Sequence, residues 1–154
     1  WQEFVSENAK GGGRLVFGRI TYQMMAGWWP TPAALQNMPV VAERMNALPK
    51  IVFSRTLPEA TWSNTTLVQD DPAGAMRRLK REPGPDMVIL GSGTIVSQLA
   101  SEGLIDEYQL VLTPVVLGKG RTMFEGLTRP LPLRQTRIRT FRNGKIFLGY
   151  EPTG

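Results

Sequence analysis

The sequence predicts an α/β fold in three layers (α-β-α), in which a mostly parallel central sheet lies between two layers of helices and ends in a C-terminal antiparallel hairpin. Short apolar runs rich in β-branched residues alternate with helical stretches through most of the chain. This order is expected of parallel strands joined by helices. The end of the chain differs, because 133–140 and 145–150 flank Asn143-Gly144, a dipeptide that strongly favours a two-residue hairpin turn.

The individual elements follow from the spacing of apolar residues and from the glycines and prolines between them. Strands are predicted at 15–17, 50–53, 62–68, 87–90 and 105–117, and the strand that ends at Leu90 is expected to be buried. Helices are predicted at 2–10, at 40–48, and between Thr21 and Gly27, Asp71 and Pro83, and Thr94 and Gly103. Residues 31–38 are expected to be a loop, since prolines interrupt any regular element there.

Length and composition predict one domain, 1–154, with a continuous core, since 42% of the 154 residues are hydrophobic. No run approaches the roughly 18 apolar residues of a membrane-spanning helix, and no membrane partner is expected. The chain begins at Trp1 and not at Met. We therefore expect it to be a piece of a longer protein.

The sequence contains neither cysteine nor histidine. Disulfides, thiolate nucleophiles, Ser-His-Asp catalysis and nearly all zinc enzymes are thereby excluded, and no metal site is expected. The absence of cysteine fits a reducing compartment, so a cytoplasmic location is expected. Any chemistry must use carboxylates, Tyr, Lys, Arg, hydroxyls or a bound cofactor.

The formal net charge of +5 and the pI near 10.0 indicate an anionic partner. The basic residues are scattered, apart from one cluster at 77–81 (Arg77, Arg78, Lys80 and Arg81). We favour a solvated helix face for this cluster over a nucleic-acid contact, because no aromatic residues are interleaved with the charges. A nucleotide or phosphorylated small molecule remains the preferred partner.

Polar turns follow three of the predicted strands. They are Gly18-Arg19-Ile20-Thr21, Ser54-Arg55-Thr56 and Gly91-Ser92-Gly93-Thr94. Ligands of open α/β sheets bind at the carboxyl ends of the strands, so all three turns can line one crevice. Glycines admit a bulky anion, helix starts offer free N–H groups, and arginine can bind phosphate with two hydrogen bonds. The turns predict a ligand with more than one phosphate group; the alternative is that they serve chain geometry only.

A Rossmann dinucleotide-binding domain fits poorly, because 91–96 lacks the third glycine and its strand comes late in the chain. Five motifs in this order fit another family better: L-V-F-G-R-I-T-Y (15–22), K-I-V-F-S-R-T-L (50–57), M-V-I-L-G-S-G-T (87–94), I-D-E-Y-Q-L-V-L-T-P-V-V-L-G-K-G (105–120) and the late hairpin. With them the chain resembles the dihydrofolate reductase fold. It resembles more closely the C-terminal reductase domain of the bifunctional riboflavin-biosynthesis deaminase-reductase and its small bacterial relatives.

The resemblance implies an NADPH site. Arg19 and Thr21 would meet the adenosine-side phosphates, and Ser54 and Arg55, with Thr56 beside them, would read the 2′-phosphate that separates NADPH from NADH. The turn from Gly91 to Thr94 would hold the pyrophosphate at a helix start. Gly118 and Gly120 would shape a loop near the mouth of the pocket.

The resemblance also implies hydride transfer from NADPH to a small heterocycle, pterin-like or pyrimidine-like, and it identifies no catalytic side chain. Glu3 stands near the position of a carboxylate that binds pterin in folate-reducing members, although a solvated helix-start residue is the favoured alternative. Tyr22, Trp28 and Trp29 could line a pocket for a flat ring, although packing in the core or an interface is favoured. The second hypothesis is a non-catalytic nucleotide-binding or structural relative of the same fold. A homodimer that pairs through the late strands is a further expectation.

Members of this family begin with a strand that bears a short S-L-D-G-like segment and passes the nicotinamide. The sequence as given starts at Trp1 and does not include such a segment. The domain is therefore expected to lack its N-terminal strand within 1–154.

Overall fold

The computed structural model describes residues 1–10 and 13–153, and it confirms the predicted α/β class. The helices are α1 (Gln2–Lys10), α2 (Arg19–Ala26), α3 (Pro32–Asn37), α4 (Pro39–Ala47), α5 (Pro72–Arg81) and α6 (Gly93–Ser101). The strands are β1 (Arg14–Gly18), β2 (Lys50–Phe53), β3 (Thr65–Val68), β4 (Met87–Ile89), β5 (Tyr108–Leu112), β6 (Leu133–Thr140) and β7 (Ile146–Pro152). No helix among the described residues has the length and apolar character needed to cross a membrane.

The described strands form two sheets, where a single mixed sheet was predicted. Four strands are parallel in the order β3-β2-β1-β4, and three are antiparallel in the order β5-β7-β6. The sheets separate between β4 and β5, because β4 pairs with β1 and β5 pairs with β7. Helix α6 joins them, since Val96 and Ala100 pack in one cluster with Tyr108 of β5 and Ile89 of β4.

Helices cover both faces of the parallel sheet, as predicted. Leu15 and Phe17 of β1 point to one face, where they pack with Tyr22 of α2 and residues of α4. Val16 points to the other face and packs with residues of α5 and α6. Successive side chains of a strand point to opposite faces, so the unbroken apolar run of β1 supplies both halves of the core.

Helix α1 packs against both sheets. The ring of Phe4 lies 5.1 Å from the rings of both Phe141 and Phe147 in the β6–β7 hairpin. Val5 packs instead on the core of the parallel sheet, beside α2 and α4. The two neighbouring side chains of α1 therefore anchor different sheets.

The prediction of a loop over 31–38 is wrong, because α3 occupies most of this stretch. Pro32 stands in the first turn of α3, where a missing N–H costs nothing. Thr31 caps the helix, its hydroxyl oxygen accepting a 3.3 Å hydrogen bond from the N–H of Ala34. Pro39 in turn begins α4. The prolines thus start helices here and do not prevent them.

Three strand predictions also need correction. The strand predicted at 105–117 stops at Leu112, since its partner β7 begins at Ile146 and offers no pairing beyond that point. The strand predicted at 62–68 begins only at Thr65, after Asn64 with a φ of 58°. β4 is not fully buried, because it forms the edge of its sheet and Val88 is 39% exposed.

The β6–β7 turn also differs from its prediction, because it is one residue longer than the predicted two-residue turn. The N–H of Phe141 donates to the carbonyl of Lys145, and the N–H of Gly144 donates to the carbonyl of Phe141. Gly144 takes the left-handed conformation, with a φ of 86°. This arrangement is a three-residue loop that ends in a left-handed glycine.

Lys50 at the start of β2 is a charged residue in the core, with 1% of its surface exposed. Its Nζ donates hydrogen bonds to the carbonyl oxygens of Asn46, Leu48 and Ser63 at 2.8–2.9 Å. It also lies 4.4 Å from the ring centre of Trp62. Burial lowers the pKa of Lys50 to about 8. The side chain holds the end of α4 against the segment before β3.

Candidate functional site

The three polar turns leave the same edge of the parallel sheet. Gly18 stands opposite Phe53 in the β1–β2 register, so the first and second turns follow adjacent strand ends. Val16 stands opposite Ile89 in the β1–β4 register, which brings the third turn to the other side of β1. The carboxyl ends of parallel strands face one edge, and the predicted clustering of the three turns at this edge is observed.

A hydrogen bond joins the first turn to the third. The N–H of Gly18 donates to Ser92 Oγ at 2.8 Å. A Cβ atom at Gly18 would lie 3.2 Å from Cγ1 of Ile95, so the glycine permits the close approach of α6. The side chain of Thr21 also lies beside Gly91, 3.7 Å from the position of a Cβ there.

The start of α6 is left without a side-chain cap. Ser92 is the N-cap residue, but its hydroxyl accepts from Gly18 and makes no hydrogen bond to α6. Ser92 itself has a left-handed conformation, with a φ of 58°, and Gly91 before it has a φ of 61°. The first N–H groups of a helix have no partner within the helix. At α6 they are available to an anion.

The second turn is organised internally. Ser54 Oγ accepts hydrogen bonds from the N–H groups of Thr56 and Leu57 at 3.2 and 3.1 Å, and it lies 3.3 Å from the hydroxyl of Thr56. Arg55 is exposed and has no hydrogen-bonding or ionic partner in the described part of the chain. Arg19 is also exposed, and its guanidinium donates to Gln23 Oε1 of its own helix at 3.1 Å.

A cavity of about 520 Å³ lies beside the third turn. One wall is the turn and α6, with Gly91, Gly93, Thr94, Ser97, Gln98 and Ser101. The second wall is the segment between β5 and β6, with Arg121, Thr122, Met123, Glu125 and Gly126. The structure thus places Gly91, Gly93 and Thr94 of the predicted site on a cavity, whereas the first and second turns, predicted to line the same crevice, do not line it.

Sequence reasoning missed the whole second wall. The apolar pattern of 105–117 predicts a strand, and it carries no information about the residues that follow Gly120. Gly118 and Gly120, predicted near the pocket mouth, are exposed, and a Cβ at either would meet no atom within 4 Å. The sequence did contain a signal for this wall, because the basic residue Arg121 directly follows a Gly-Lys-Gly sequence.

The three residues predicted to contact substrate lie elsewhere. Tyr22 is 4% exposed, and its hydroxyl oxygen accepts a 3.1 Å hydrogen bond from the N–H of Trp62, so it belongs to the core. Trp28 is 41% exposed after α2, and Glu3 is exposed in the first turn of α1. Neither lines the cavity. Trp29 is half-buried, and its Nε1 donates to the sulfur of Met25.

The basic cluster at 77–81 lies on the outer face of α5 and is largely paired. Arg77 binds Glu102, Arg78 binds Asp70 and Lys80 binds Asp106, at distances of 2.5, 3.3 and 2.9 Å. Among the residues that the structure describes, no group of carboxylates stands together in a way that could hold a metal ion.

Comparison with known proteins agrees with this architecture. Residues 1–147 match the model of the RibD C-terminal domain. The chain belongs to the RibD C-terminal domain family. The resemblance drawn from the motifs is thereby confirmed, and membership of this family supports a reductase-type function.

One curated relative and two solved structures extend the comparison. The uncharacterized protein YyaP of Bacillus subtilis is 26% identical over 140 residues, which are 91% of this chain and 74% of YyaP. A putative riboflavin biosynthesis protein from Shewanella sp. PV-4 has a TM-score of 0.74 at 21% identity, over 95% of this chain and 77% of that one. A pyrimidine reductase-like protein from Corynebacterium diphtheriae has a TM-score of 0.65 at 13% identity, over 99% of this chain and 80% of that one. These structures show that the fold is shared.

Proposed function

We propose that this RibD C-terminal domain is an NADPH-dependent reductase that transfers hydride to a small heterocyclic substrate, either pterin-like or pyrimidine-like. One observation carries the cofactor part of the proposal. The Gly18–Ser92 hydrogen bond brings the first and third turns together and leaves the start of α6 uncapped beside a cavity. RibD reductase domains generally depend on a nicotinamide cofactor.

The donor set at this edge fits a dinucleotide. Gly91 and Gly93 carry no side chain on the wall of the cavity, and Thr94 adds a hydroxyl group. Free N–H groups and the positive end of a helix dipole favour a pyrophosphate. Arg55, unpaired among the described residues, would bind the 2′-phosphate, and Arg19 and Thr21 would meet the phosphates beside the first turn. The residues therefore fit NADPH.

The chemistry divides between the cofactor and the chain. NADPH supplies the hydride when it is bound, and this transfer needs no imidazole or thiol from the protein. The chain aligns the two reactants and keeps water from them. The name of the Corynebacterium relative supports a pyrimidine ring as one substrate class to test. The resemblance to folate-reducing enzymes supports a pterin as the other.

Binding of NADPH and NADH to wild type and Arg55→Ala tests the cofactor assignment. A ligand that binds only the folded state raises the melting temperature. We expect NADPH to give the larger shift, and Arg55→Ala to weaken NADPH binding by about tenfold to hundredfold while NADH is little affected. Arg142→Ala, which removes an exposed arginine of the β6–β7 turn, is the matched control. Equal shifts with both nucleotides, or none, would contradict the proposal.

Turnover separates the reductase from a non-catalytic relative of the same fold. We expect the near-ultraviolet absorbance of NADPH to fall when a pterin or an aminopyrimidine is added to the protein. If the protein binds NADPH but no pterin or aminopyrimidine oxidises the bound NADPH, the protein is a non-catalytic relative of the reductases.

A further inference from the structure

The segment between β5 and β6 supplies the only arginine on the wall of the described cavity. Arg121 lies there with Thr122 and Met123, and Gly93 and Thr94 at the start of α6 line the same cavity. An anion at the third turn would therefore share this cavity with the guanidinium of Arg121.

Specific contacts hold this segment against α6. Ser97 Oγ donates a 3.0 Å hydrogen bond to the carbonyl oxygen of Met123, and Ser97 is only 9% exposed. A Cβ at Gly93 would lie 3.7 Å from the same carbonyl oxygen, so the two walls meet at van der Waals distance there. Arg121 precedes Met123 by two residues. Its backbone is consequently fixed close to the first turn of α6.

Arg121 has no ionic partner in the described ranges, 1–10 and 13–153. Four other arginines of this chain pair with carboxylates, as in Arg77–Glu102 and Arg134–Glu151. Glu125 lines the same cavity as Arg121, yet the two form no ion pair. The guanidinium is thus free to bind a ligand.

We propose that Arg121, on the wall formed by the segment between β5 and β6, binds the pyrophosphate of the dinucleotide together with the third turn. This inference rests on the proposed NADPH-dependent function. A guanidinium can bind two phosphate oxygens at once, and such charge-assisted hydrogen bonds are stronger than neutral ones. Glu125 repels phosphate on the same wall, which confines the anion to the part of the cavity nearer Arg121.

NADPH titrations of Arg121→Ala, Arg121→Lys and Glu125→Gln test this arrangement. We expect Arg121→Ala to raise the Kd by about tenfold or more and Arg121→Lys to restore part of the affinity. Glu125→Gln should lower the Kd, because it removes the repulsion. Arg129→Ala is the matched control, since Arg129 belongs to the same segment but lines a second cavity with Phe124 and Leu127. Its Kd should stay within about twofold of the wild-type value.

Two further readouts separate a phosphate contact from a change in folding. The dependence of the Kd on salt should be shallower in Arg121→Ala than in Arg129→Ala, because screening acts on a charge pair that the first variant lacks. Inorganic pyrophosphate should displace NADPH from wild type more effectively than from Arg121→Ala. The melting temperatures without ligand should agree, since Arg121 makes no described contact that folding needs.

The outcomes distinguish this inference from the function on which it rests. If wild type binds NADPH and Arg121→Ala binds it equally well, Arg121 has no part in binding and the reductase proposal stands. If wild type binds neither NADPH nor pyrophosphate, both proposals fall. A loss of affinity that Arg129→Ala reproduces would mean a general effect of charge, and would overturn the specific contact.

Discussion

The backbone N–H of Gly18 donates a 2.8 Å hydrogen bond to the hydroxyl of Ser92, which lies 74 positions further along the chain. The bond joins the end of β1 to the start of α6. It also occupies the one side chain that could have capped α6. The same contact therefore holds two turns together and keeps the first N–H groups of α6 available for a ligand.

Substitution of Ser92 tests this contact directly. Ser92→Ala leaves the half-buried N–H of Gly18 without its acceptor, and we expect a loss of about 1–2 kcal/mol in the free energy of unfolding. The loss in Ser92→Gly should be about 1 kcal/mol smaller than in Ser92→Ala, since glycine accepts a φ of 58° without strain. Urea denaturation measures both changes. The exposed Ser63→Ala should change stability by less than about 0.5 kcal/mol. A wild-type unfolding curve for Ser92→Ala would contradict the role of the bond.

The glycine partner is constrained by space. In Gly18→Ala the new methyl group would lie 3.2 Å from Cγ1 of Ile95, so the Ile95 side chain must shift by a few tenths of an ångström where α6 packs on β1. We expect a loss of about 1–3 kcal/mol and weaker NADPH binding. Gly120→Ala is the matched control, because its methyl group would meet no atom within 4 Å. Thermal denaturation compares the two, and equal melting temperatures would show that α6 does not need this close approach.

The cap of α3 can be removed without touching the site. Thr31→Ala removes the hydroxyl that accepts from the N–H of Ala34 and donates to the carbonyl of Trp28. We expect a loss of about 0.5–2 kcal/mol in the free energy of unfolding, whereas Thr31→Ser should keep most of it. Denaturant titration of both variants measures the difference. NADPH binding should be unchanged in both.

Lys50 makes stability depend on pH. Its pKa is about 8 in the folded protein and 10.5 in the unfolded chain, so the unfolded chain binds more protons between these values. The free energy of unfolding should therefore rise with pH across this window, relative to that of Lys50→Met, by up to about 3 kcal/mol. The comparison with Lys50→Met cancels groups that both proteins share, such as Tyr108, whose pKa is raised by burial.

Denaturation at several pH values between 7 and 11 measures this difference. A difference that stays flat would mean that the three carbonyl oxygens around Nζ favour the ammonium ion as strongly as burial opposes it. The chain has no histidine, so neither protein has an imidazole that titrates just below this window.

Local patterns predicted the regular elements well. Three elements lie where the pattern indicated, because residues adjacent in the sequence determine them: the strand at 15–17, the helix start at Asp71-Pro72 and the turn Gly91-Ser92-Gly93. Predictions failed where the decision was not local. Pro32 could end or begin a helix, and the cap by Thr31 decided the matter. The end of β5 at Leu112 depends on where β7 begins, which is more than thirty residues away in the sequence.

The sequence by itself determined the α/β class, the three polar turns at strand ends and the resemblance to a reductase domain, because these depend on residue type and spacing along the chain. Only the tertiary structure decided which groups share a space. Ser92 meets Gly18, and Arg121 lines one cavity with the start of α6, because sheet register and the packing of α6 bring distant segments together. Burial of Tyr22 also decided between a pocket and the core, in favour of the core packing that the sequence analysis preferred. Such contacts arise from the fold, and no local pattern encodes them.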